Sequence, residues 1–334
     1  MHNVGDGLKL KVAFRTTGNQ RQGMGDVYGS LALADAFKKY AANILFVINN
    51  DMETIDVLSH NSYLYEVISH LNDEIEIYRN FSPEIIIVNR LNNSAVYLKK
   101  IKNLTKLLVT VDDAGPAAQI ADLRINPLYY IENSYTGPDY VALRKEFQEI
   151  NNIPRRIRKN VESILVTLGG SDTYGFTPKV IKALANIPES IGIDVVLGPA
   201  FIHHEELNQV LKSVERHFNI IQNPKNICSL MQKADIAISG GGNTMFELAA
   251  IGVPTVVVCG EPFEEETADR MMGVVINLGF GEKVSEKQLY QSVYDLINDF
   301  AKRKRISIIA QQIVDGKGSK RTVDLILRKL ENLD

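Results

Sequence analysis

Short apolar runs alternate with amphipathic stretches along almost the whole chain. The apolar runs have the length of buried strands, and the stretches between them repeat apolar residues with the period of a helix. In the first half the pattern predicts strands at 11–14, 44–48, 65–68, 85–88 and 107–111, and helices at 26–40, 51–60 and 95–103. Such alternation is typical of α/β proteins with parallel sheets. We therefore predict a doubly wound sheet.

The second half repeats this pattern after a polar, basic, proline-bearing segment at 152–160, which has the composition of a linker. The predicted strands are 163–167, 192–196, 218–221, 236–239, 255–258 and 274–277, and the predicted helices are 177–185, 205–214, 226–234, 244–251, 268–273, 286–300 and 319–333. We expect an N-terminal Rossmann-like domain at 1–151, a C-terminal one at 161–318, and a final helix at 319–334 that packs back towards the N-terminal domain. Ligands bind at the carboxyl ends of parallel strands, so we expect the site in a cleft between the two domains.

Composition narrows the classes of function. The chain has 334 residues and a formal net charge of −3, so it offers no overall field that would attract nucleic acid or an anionic membrane. The N-terminus lacks the pattern of a signal peptide, and no apolar run approaches the length of a membrane span. We expect a cytoplasmic protein with at most peripheral membrane contact. The oligomeric state stays open.

One stretch organises the candidate chemistry, the segment 235–258 with the sequence DIAISGGGNTMFELAAIGVPTVVV. It predicts a strand, a glycine turn, a helix and a second strand, which together form a phosphate-binding βαβ unit. Glycines let main-chain N–H groups approach an anion, and the helix directs the positive end of its dipole towards it. The candidate ligands of the anion are Gly241, Gly242, Asn243 and Thr244.

A second glycine turn follows the first strand of the C-terminal half, where the chain reads LGGSD at 168–172. Gly169, Gly170 and Ser171 offer main-chain amides and a hydroxyl. Alone, this segment is more typical of a plain turn followed by a helix cap. Two such turns in one domain indicate a diphosphate held from two sides.

Each of two acidic residues has a structural interpretation, as a helix cap, beside a functional one. Glu247 follows Thr244 at the spacing of a capping box, so it either caps the helix or contacts a ligand. Asp26 lies where the first helix begins, so it is either an N-cap or a general base. The loop before Asp26 carries Gly23, Gly25 and Gly29, but its length and spacing do not fit a dinucleotide fingerprint.

Other polar residues end predicted strands of the first half and would line the first half's side of the cleft. For the pair Asp112 and Asp113 a turn or cap is the ordinary interpretation, and no metal-binding pattern accompanies it. The candidates on this side are Arg15, Gly23, Gly25, Asn89 and Asp113, and Arg15, Arg21 and Arg270 are candidate charged clamps.

Several of these segments carry a resemblance to a known family. They are GMGDVYGSLALADAF near the start, TVDDAG at 110–115, DYVALRKEF at 139–147, ILVTLGGSD at 164–172, DVVLGP at 194–199 and the segment 235–258. Together they resemble the family of the pseudaminic-acid-pathway nucleotide-sugar hydrolase, which also holds predicted spore-coat polysaccharide glycosyltransferases. The lipid II glycosyltransferase MurG is a more distant relative. The resemblance implies a GT-B fold, with two Rossmann-like domains facing across a cleft.

The resemblance also implies roles for residues. The two glycine turns, Gly169 to Ser171 and Gly241 to Thr244, would face the diphosphate of a nucleotide-sugar, and Glu247 would accept hydrogen bonds from the ribose. The family's catalytic histidine is replaced here by Asp26, its following arginine by Gly29, and an aspartate at the end of the fourth strand by Asn89. A carboxylate at the position of Asp26 suits a base that activates a sugar acceptor.

These observations predict a metal-independent, inverting glycosyltransferase of surface polysaccharide or glycan assembly. We expect a UDP-linked sugar donor, a sugar or glycan acceptor and no cofactor, with Asp26 as the base. Two alternatives stay open. One is a nucleotide-sugar hydrolase that uses water in the same cleft, and the other is a nucleotide-sugar-binding protein without catalysis.

Overall fold

The computed structural model of the chain describes residues 9–18, 23–224 and 226–333. These residues form two compact units. The first unit holds 9–18, 24–136 and 318–333, and the second unit holds Gly23 and the described residues of 137–317. Each unit is built around its own parallel β-sheet.

The first unit contains a seven-stranded sheet with helices on both faces. Its strands are β1 (Lys11–Thr16), β2 (Asn43–Asn49), β3 (Leu64–Ile68), β4 (Ile85–Asn89), β5 (Leu107–Val111), β6 (Leu123–Asn126) and β7 (Tyr135–Thr136). Its α-helices are α1 (Gly25–Lys38), α2 (Met52–His60), α3 (Leu71–Phe81), α4 (Ala95–Lys102) and, after the second unit, α13 (Gly318–Glu331). The strand order β3-β2-β1-β4-β5-β6-β7 reverses direction between β1 and β4, as in Rossmann folds.

The second unit contains a six-stranded sheet of the same type. Its strands are β8 (Ser163–Thr167), β9 (Gly192–Leu197), β10 (Asn219–Gln222), β11 (Ile236–Ser239), β12 (Thr255–Cys259) and β13 (Val275–Phe280). Its helices are α5 (Lys145–Asn151), α6 (Thr177–Leu184), α7 (His204–Ser213), α8 (Ile227–Lys233), α9 (Asn243–Ala250), α10 (Glu264–Arg270), α11 (Glu286–Asn298) and α12 (Phe300–Ile313). The order β10-β9-β8-β11-β12-β13 places its reversal between β8 and β11.

Burial explains why the strand pattern was easy to recognise. The central strands are covered on both faces, so every residue of β4, β5 and β11 is buried. Strands of this kind read as continuous apolar runs. All the predicted strands are present, with ends that differ by a few residues.

Some helices were missed or misplaced. Helix α3 was not predicted because its inner face carries the polar residues Glu74 and Tyr78, both buried. The helix predicted at 286–300 ends at Asn298, because the Asp299 carboxylate accepts a hydrogen bond of 2.8 Å from Lys302 N and caps the separate helix α12. The helix predicted at 268–273 is α10, which begins at Glu264.

The chain passes between the units earlier than the composition change near residue 152. Helix α5 belongs to the second unit, where it packs against α9. The side-chain amide of Asn151 donates to Ala250 O and Val314 O, both at 2.7 Å, and holds this contact. Helix α13 packs against α1, β5 and β6 of the first unit. Within the described ranges, no helix combines the length and apolar character needed to cross a membrane.

Candidate functional site

The second unit brings the two predicted glycine turns side by side. Strands β8 and β11 are neighbours, with Thr167 and Ser239 as register partners at their carboxyl ends. The turn after β8 holds Gly169 to Ser171, and the turn after β11 holds Gly240 to Gly242. In doubly wound sheets ligands bind at this point of reversal. The geometry therefore makes one candidate site of two segments about 70 residues apart in the sequence.

The turn after β8 is fixed by close backbone contacts. Gly169 has φ +87°, which favours glycine. A Cβ on Gly198 would lie 2.4 Å from Gly170 O, so glycine is required for the loop after β9 to approach this turn. The Asp172 carboxylate accepts 2.8 Å hydrogen bonds from Phe176 N and Thr177 N at the start of α6. Asp172 is thus a cap, while Gly170 and Ser171 remain partly exposed.

The turn after β11 leads directly into α9. Gly242 is the N-cap residue, and no described side chain caps the start of this helix. The first N–H groups of an α-helix lack intrahelical partners, so those of Asn243 and Thr244 are available to a ligand. Both residues are partly exposed. The start of α9 therefore has the chemistry of an anion site.

Gly241 differs from the prediction, because its amide already has an acceptor. Its N–H donates a 2.9 Å hydrogen bond to Oε2 of Glu264. The same oxygen accepts a 2.7 Å hydrogen bond from Gly260 N. A Cβ on Gly241 would lie 2.8 Å from the Glu264 Cβ, so this glycine accommodates a side chain of the protein itself. Burial raises the pKa of Glu264, and the two main-chain hydrogen bonds act in the opposite direction.

Glu247 does not form the capping box. Helix α9 begins at Asn243, so Thr244 is inside the helix and that interpretation is wrong. Oε1 of Glu247 instead accepts a 2.9 Å hydrogen bond from Nε of Arg144, and Nη2 of Arg144 lies 2.8 Å from the same oxygen in an ion pair. Burial raises the pKa of Glu247, while Arg144 lowers it.

In the first unit, Asp26 lies at the start of α1 without capping it. The helix begins at Gly25, the N-cap position is Met24, and no described side chain caps the helix, so the N-cap interpretation is wrong. Burial raises the pKa of Asp26 to about 7. A carboxyl group with this pKa can exchange a proton near neutral pH, as a general base requires.

Asp112 and Asn89 adjoin Asp26. Burial is the main cause that raises the pKa of Asp112 to about 7, and the negative charge of Asp26 adds to it. Asp112 has φ +51° and accepts a 3.2 Å hydrogen bond from Leu128 N. Asn89 is buried and donates through Nδ2 to Asp26 O at 2.9 Å and to Ser30 Oγ at 3.1 Å. The first unit thus holds two carboxyl groups of raised pKa at the carboxyl ends of its strands.

Two predicted residues of the acceptor side serve the first unit's own structure. Arg15 is 2% exposed and binds Glu74, Asn49 and main-chain oxygens, with Nε 3.2 Å from Glu74 Oε2. Asp113 is fully buried, and its carboxylate accepts from Asn92 N, Asn93 Nδ2 and Gly115 N. A buried side chain whose hydrogen bonds are all made within the protein cannot also bind a sugar acceptor. The prediction that Arg15 and Asp113 line the acceptor side is therefore wrong.

The remaining candidates are placed as follows. Gly25 is the first residue of α1, and Gly23 has φ +82° and belongs to the second unit, where its Cα is 3.6 Å from the place of a Cβ on Gly170. Arg270 donates to Glu266 Oε1 at 2.9 Å, four residues earlier in α10. Arg21 lies outside the described residues.

Sequence reasoning missed Arg144 and Glu264. Arg144 was part of the segment DYVALRKEF, and Glu264 lies in the acidic run 261–266, but neither segment has a spacing that indicates its partner. Arg144 and Glu247 are 103 positions apart in the sequence. Only the packing of α5 against α9 brings them together.

Comparison with known structures identifies the fold class. The chain has a GT-B fold: its two parallel-sheet units match the crystal structure of MurG from Acinetobacter baumannii with a TM-score of 0.67, over 95% of this chain and 99% of that one. At 14% identity this likeness shows the fold alone. Residues 163–303, which contain both glycine turns, match the glycosyltransferase family 28 C-terminal domain.

Two curated relatives define the family. The spore coat polysaccharide biosynthesis protein SpsG of Bacillus subtilis is 30% identical over 240 residues, which are 67% of this chain and 70% of SpsG. The uncharacterized protein MJ1062 of Methanocaldococcus jannaschii is 32% identical over 279 residues, 78% of this chain. The match spans only 58% of the length of MJ1062. The chain belongs to the family of SpsG, which confirms the spore-coat part of the resemblance.

Proposed function

We propose that this protein is a glycosyltransferase that uses a nucleotide-diphospho-sugar donor in glycan assembly. The observation that carries the proposal is the pair of glycine turns at the reversal point of the second sheet, beside the open start of α9. This arrangement lies within the stretch that matches the glycosyltransferase family 28 C-terminal domain. We further propose a UDP-linked donor and action in the cytoplasm.

The second unit would hold the donor. The N–H groups of Asn243 and Thr244 and the polar groups of Gly170 and Ser171 would bind the diphosphate. The free Oε2 of Glu247 would accept hydrogen bonds from the ribose hydroxyls. The positive end of the α9 dipole would stabilise the negative charge that develops on the leaving diphosphate, so we propose a metal-independent reaction.

The first unit would supply the base. The Asp26 carboxylate would take the proton of an acceptor hydroxyl as that oxygen forms a bond to the anomeric carbon of the donor. The bond between this carbon and the β-phosphate oxygen breaks, and its electron pair leaves with the nucleoside diphosphate. One base and one displacement are enough, so we propose inversion at the anomeric carbon.

The test measures nucleotide release from UDP-, GDP-, CMP- and dTDP-sugars, with and without a glycan acceptor extract. We expect release only when an acceptor is present, unchanged by EDTA, and lost in Asp26→Asn. The anomeric proton coupling of the product, measured by NMR, checks inversion.

Two other results would overturn the proposal. Release without acceptor would make the protein a nucleotide-sugar hydrolase, and tight binding without turnover would make it a nucleotide-sugar-binding protein. Asn243→Pro would serve as a control on the donor side: it removes an N–H at the start of α9, where proline is tolerated in a helix, so nucleotide affinity should fall while folding is retained.

A further inference from the structure

Arg144 forms an ion pair with Glu247. Its guanidinium binds one carboxylate oxygen, Oε1, through two nitrogens at 2.9 and 2.8 Å. The other oxygen, Oε2, receives no hydrogen bond from the part of the chain that the structure describes. The Arg144 and Glu247 side chains are 20% and 13% exposed, so the pair is largely shielded from water yet open on one side.

The guanidinium is itself held in place. Its Cζ lies 4.9 Å from the centre of the Phe147 ring, and its Nη1 lies 3.5 Å from Oε1 of Glu146. The residue is the N-cap of α5. At the other end of this short helix, Asn151 is bonded to Ala250 O at the end of α9. Helix α5 is thus attached to α9 at both of its ends.

This pairing solves a physical problem at the site. A buried carboxylate tends to take up a proton, because burial disfavours its charged form, and a flexible glutamate loses rotamer freedom when it binds a ligand. Arg144 opposes both effects, since its charge favours ionised Glu247, and its hydrogen bond and ion-pair contact to Oε1 fix the rotamer. A pre-ordered, ionised carboxylate with one free oxygen is a strong acceptor for a sugar hydroxyl.

We propose that Arg144 is a positioning residue that holds Glu247 so that its free oxygen selects a ribose over a 2′-deoxyribose in the donor nucleotide. The inference rests on the proposed function, because it takes Glu247 as the ribose contact. It adds a residue outside the glycine turns, on the segment that enters the second unit from the first.

The experiment compares the dissociation constants of ribo- and 2′-deoxyribo-nucleoside diphosphates, using UDP, CDP, GDP and ADP with their 2′-deoxy forms in titration calorimetry. A hydrogen bond to a charged group implies that the wild type prefers the ribo form by about tenfold or more. We expect Arg144→Gln to reduce this ratio to about one, with the affinity for the deoxy form unchanged within about threefold. Arg144→Lys, which keeps the charge, should retain part of the preference.

Arg158→Gln is the matched control. Arg158 also pairs with a carboxylate of the second unit, with Nη1 3.0 Å from Asp235 Oδ2, but it lies before β8 and away from the glycine turns. We expect it to keep the wild-type ratio. A variant that merely destabilises the unit would weaken both forms equally and leave the ratio unchanged.

The outcomes separate the inference from the function on which it rests. If Arg144→Gln keeps the ribo preference, or weakens both forms equally, Arg144 has only a structural role. If Glu247→Ala keeps the preference, Glu247 does not contact the ribose, and the inference fails while nucleotide binding stands. If the wild type binds none of the nucleotides, the proposed function fails as well.

Discussion

The side-chain amide of Asn89 donates a 2.9 Å hydrogen bond to the main-chain oxygen of Asp26. This contact joins the end of β4 to the first turn of α1, at the reversal point of the first sheet. The amide therefore matters in two ways: it can donate to a carbonyl, and it adds no charge next to a carboxyl group whose pKa is already raised to about 7.

Asn89→Asp should weaken activity at neutral pH and spare it at higher pH. A second carboxylate beside Asp26 disfavours ionisation of Asp26, so its pKa rises further. At a pH below the pKa, the ionised fraction of Asp26 falls about tenfold when its pKa rises by about one. The measurement is kcat/KM as a function of pH. Asn89→Ala is the control, because it removes the hydrogen bond without adding charge. An unchanged pH profile in Asn89→Asp would show that the two side chains do not interact.

Asp26→Asn should abolish turnover yet stabilise the fold at alkaline pH. The folded-state pKa of Asp26, about 7, lies above the ordinary value of 3.8 for an aspartate. The stability contributed by protonated Asp26 is therefore present at low pH and is lost as the pH rises through about 7. The loss begins above the ordinary pKa of 3.8 and is complete near pH 7, so we expect the variant to melt several degrees above wild type at pH 8.5 and by a smaller margin at pH 5. A lower melting temperature at both pH values would indicate a structural role for the carboxylate.

Glu264→Gln should tighten nucleotide diphosphate binding by about three- to tenfold. Glu264 accepts a hydrogen bond from the Gly241 amide next to the start of α9. Its negative charge would therefore repel a diphosphate bound there and weaken its binding. Glutamine keeps an acceptor oxygen for Gly241 N and Gly260 N and removes the charge. Calorimetric titration with UDP measures the effect. Weaker binding in the variant would instead mean that the carboxylate accepts a hydroxyl of the ligand.

Gly198→Ala should destabilise the protein by more than about 2 kcal/mol, since its Cβ would lie 2.4 Å from a backbone oxygen that cannot move away freely. Gly192→Ala is the control. Gly192 begins β9, the strand that Gly198 follows, and a Cβ there would lie 3.7 Å from its nearest atom, an ordinary contact. Urea unfolding of both variants gives the comparison. Equal stability of the two variants would contradict the close approach of the loops after β8 and β9.

The alternation of apolar runs was enough to predict the fold class, because the central strands are buried on both faces. It failed where a helix buries polar groups. Helix α3 places Glu74 against Arg15 and Tyr97, with hydrogen bonds of 3.2 and 2.5 Å, so its inner face does not look apolar in the sequence. Asp299 caused another failure, because one local hydrogen bond divides an otherwise continuous helical pattern.

The site was predictable where its residues are local to a strand and its following turn. Gly170, Ser171, Asn243 and Thr244 were predicted as candidates for this reason, and the structure leaves all four partly exposed. Contacts between distant segments were not predictable. The sequence does not indicate that Glu264 reaches back to Gly241, because that depends on how the loop after β12 packs.

The position of α13 has a consequence for the order in which the protein can fold. This helix follows the second unit in the chain, yet it packs on α1 and beside β5 and β6 of the first. During synthesis, residues 24–136 emerge early but stay without this helix until residues 318–331 have been made. The second unit, from Gly137 to Lys317, is almost continuous and can complete its core sooner. The first unit can therefore cover the faces of α1, β5 and β6 that α13 occupies only after the whole second unit has been synthesised.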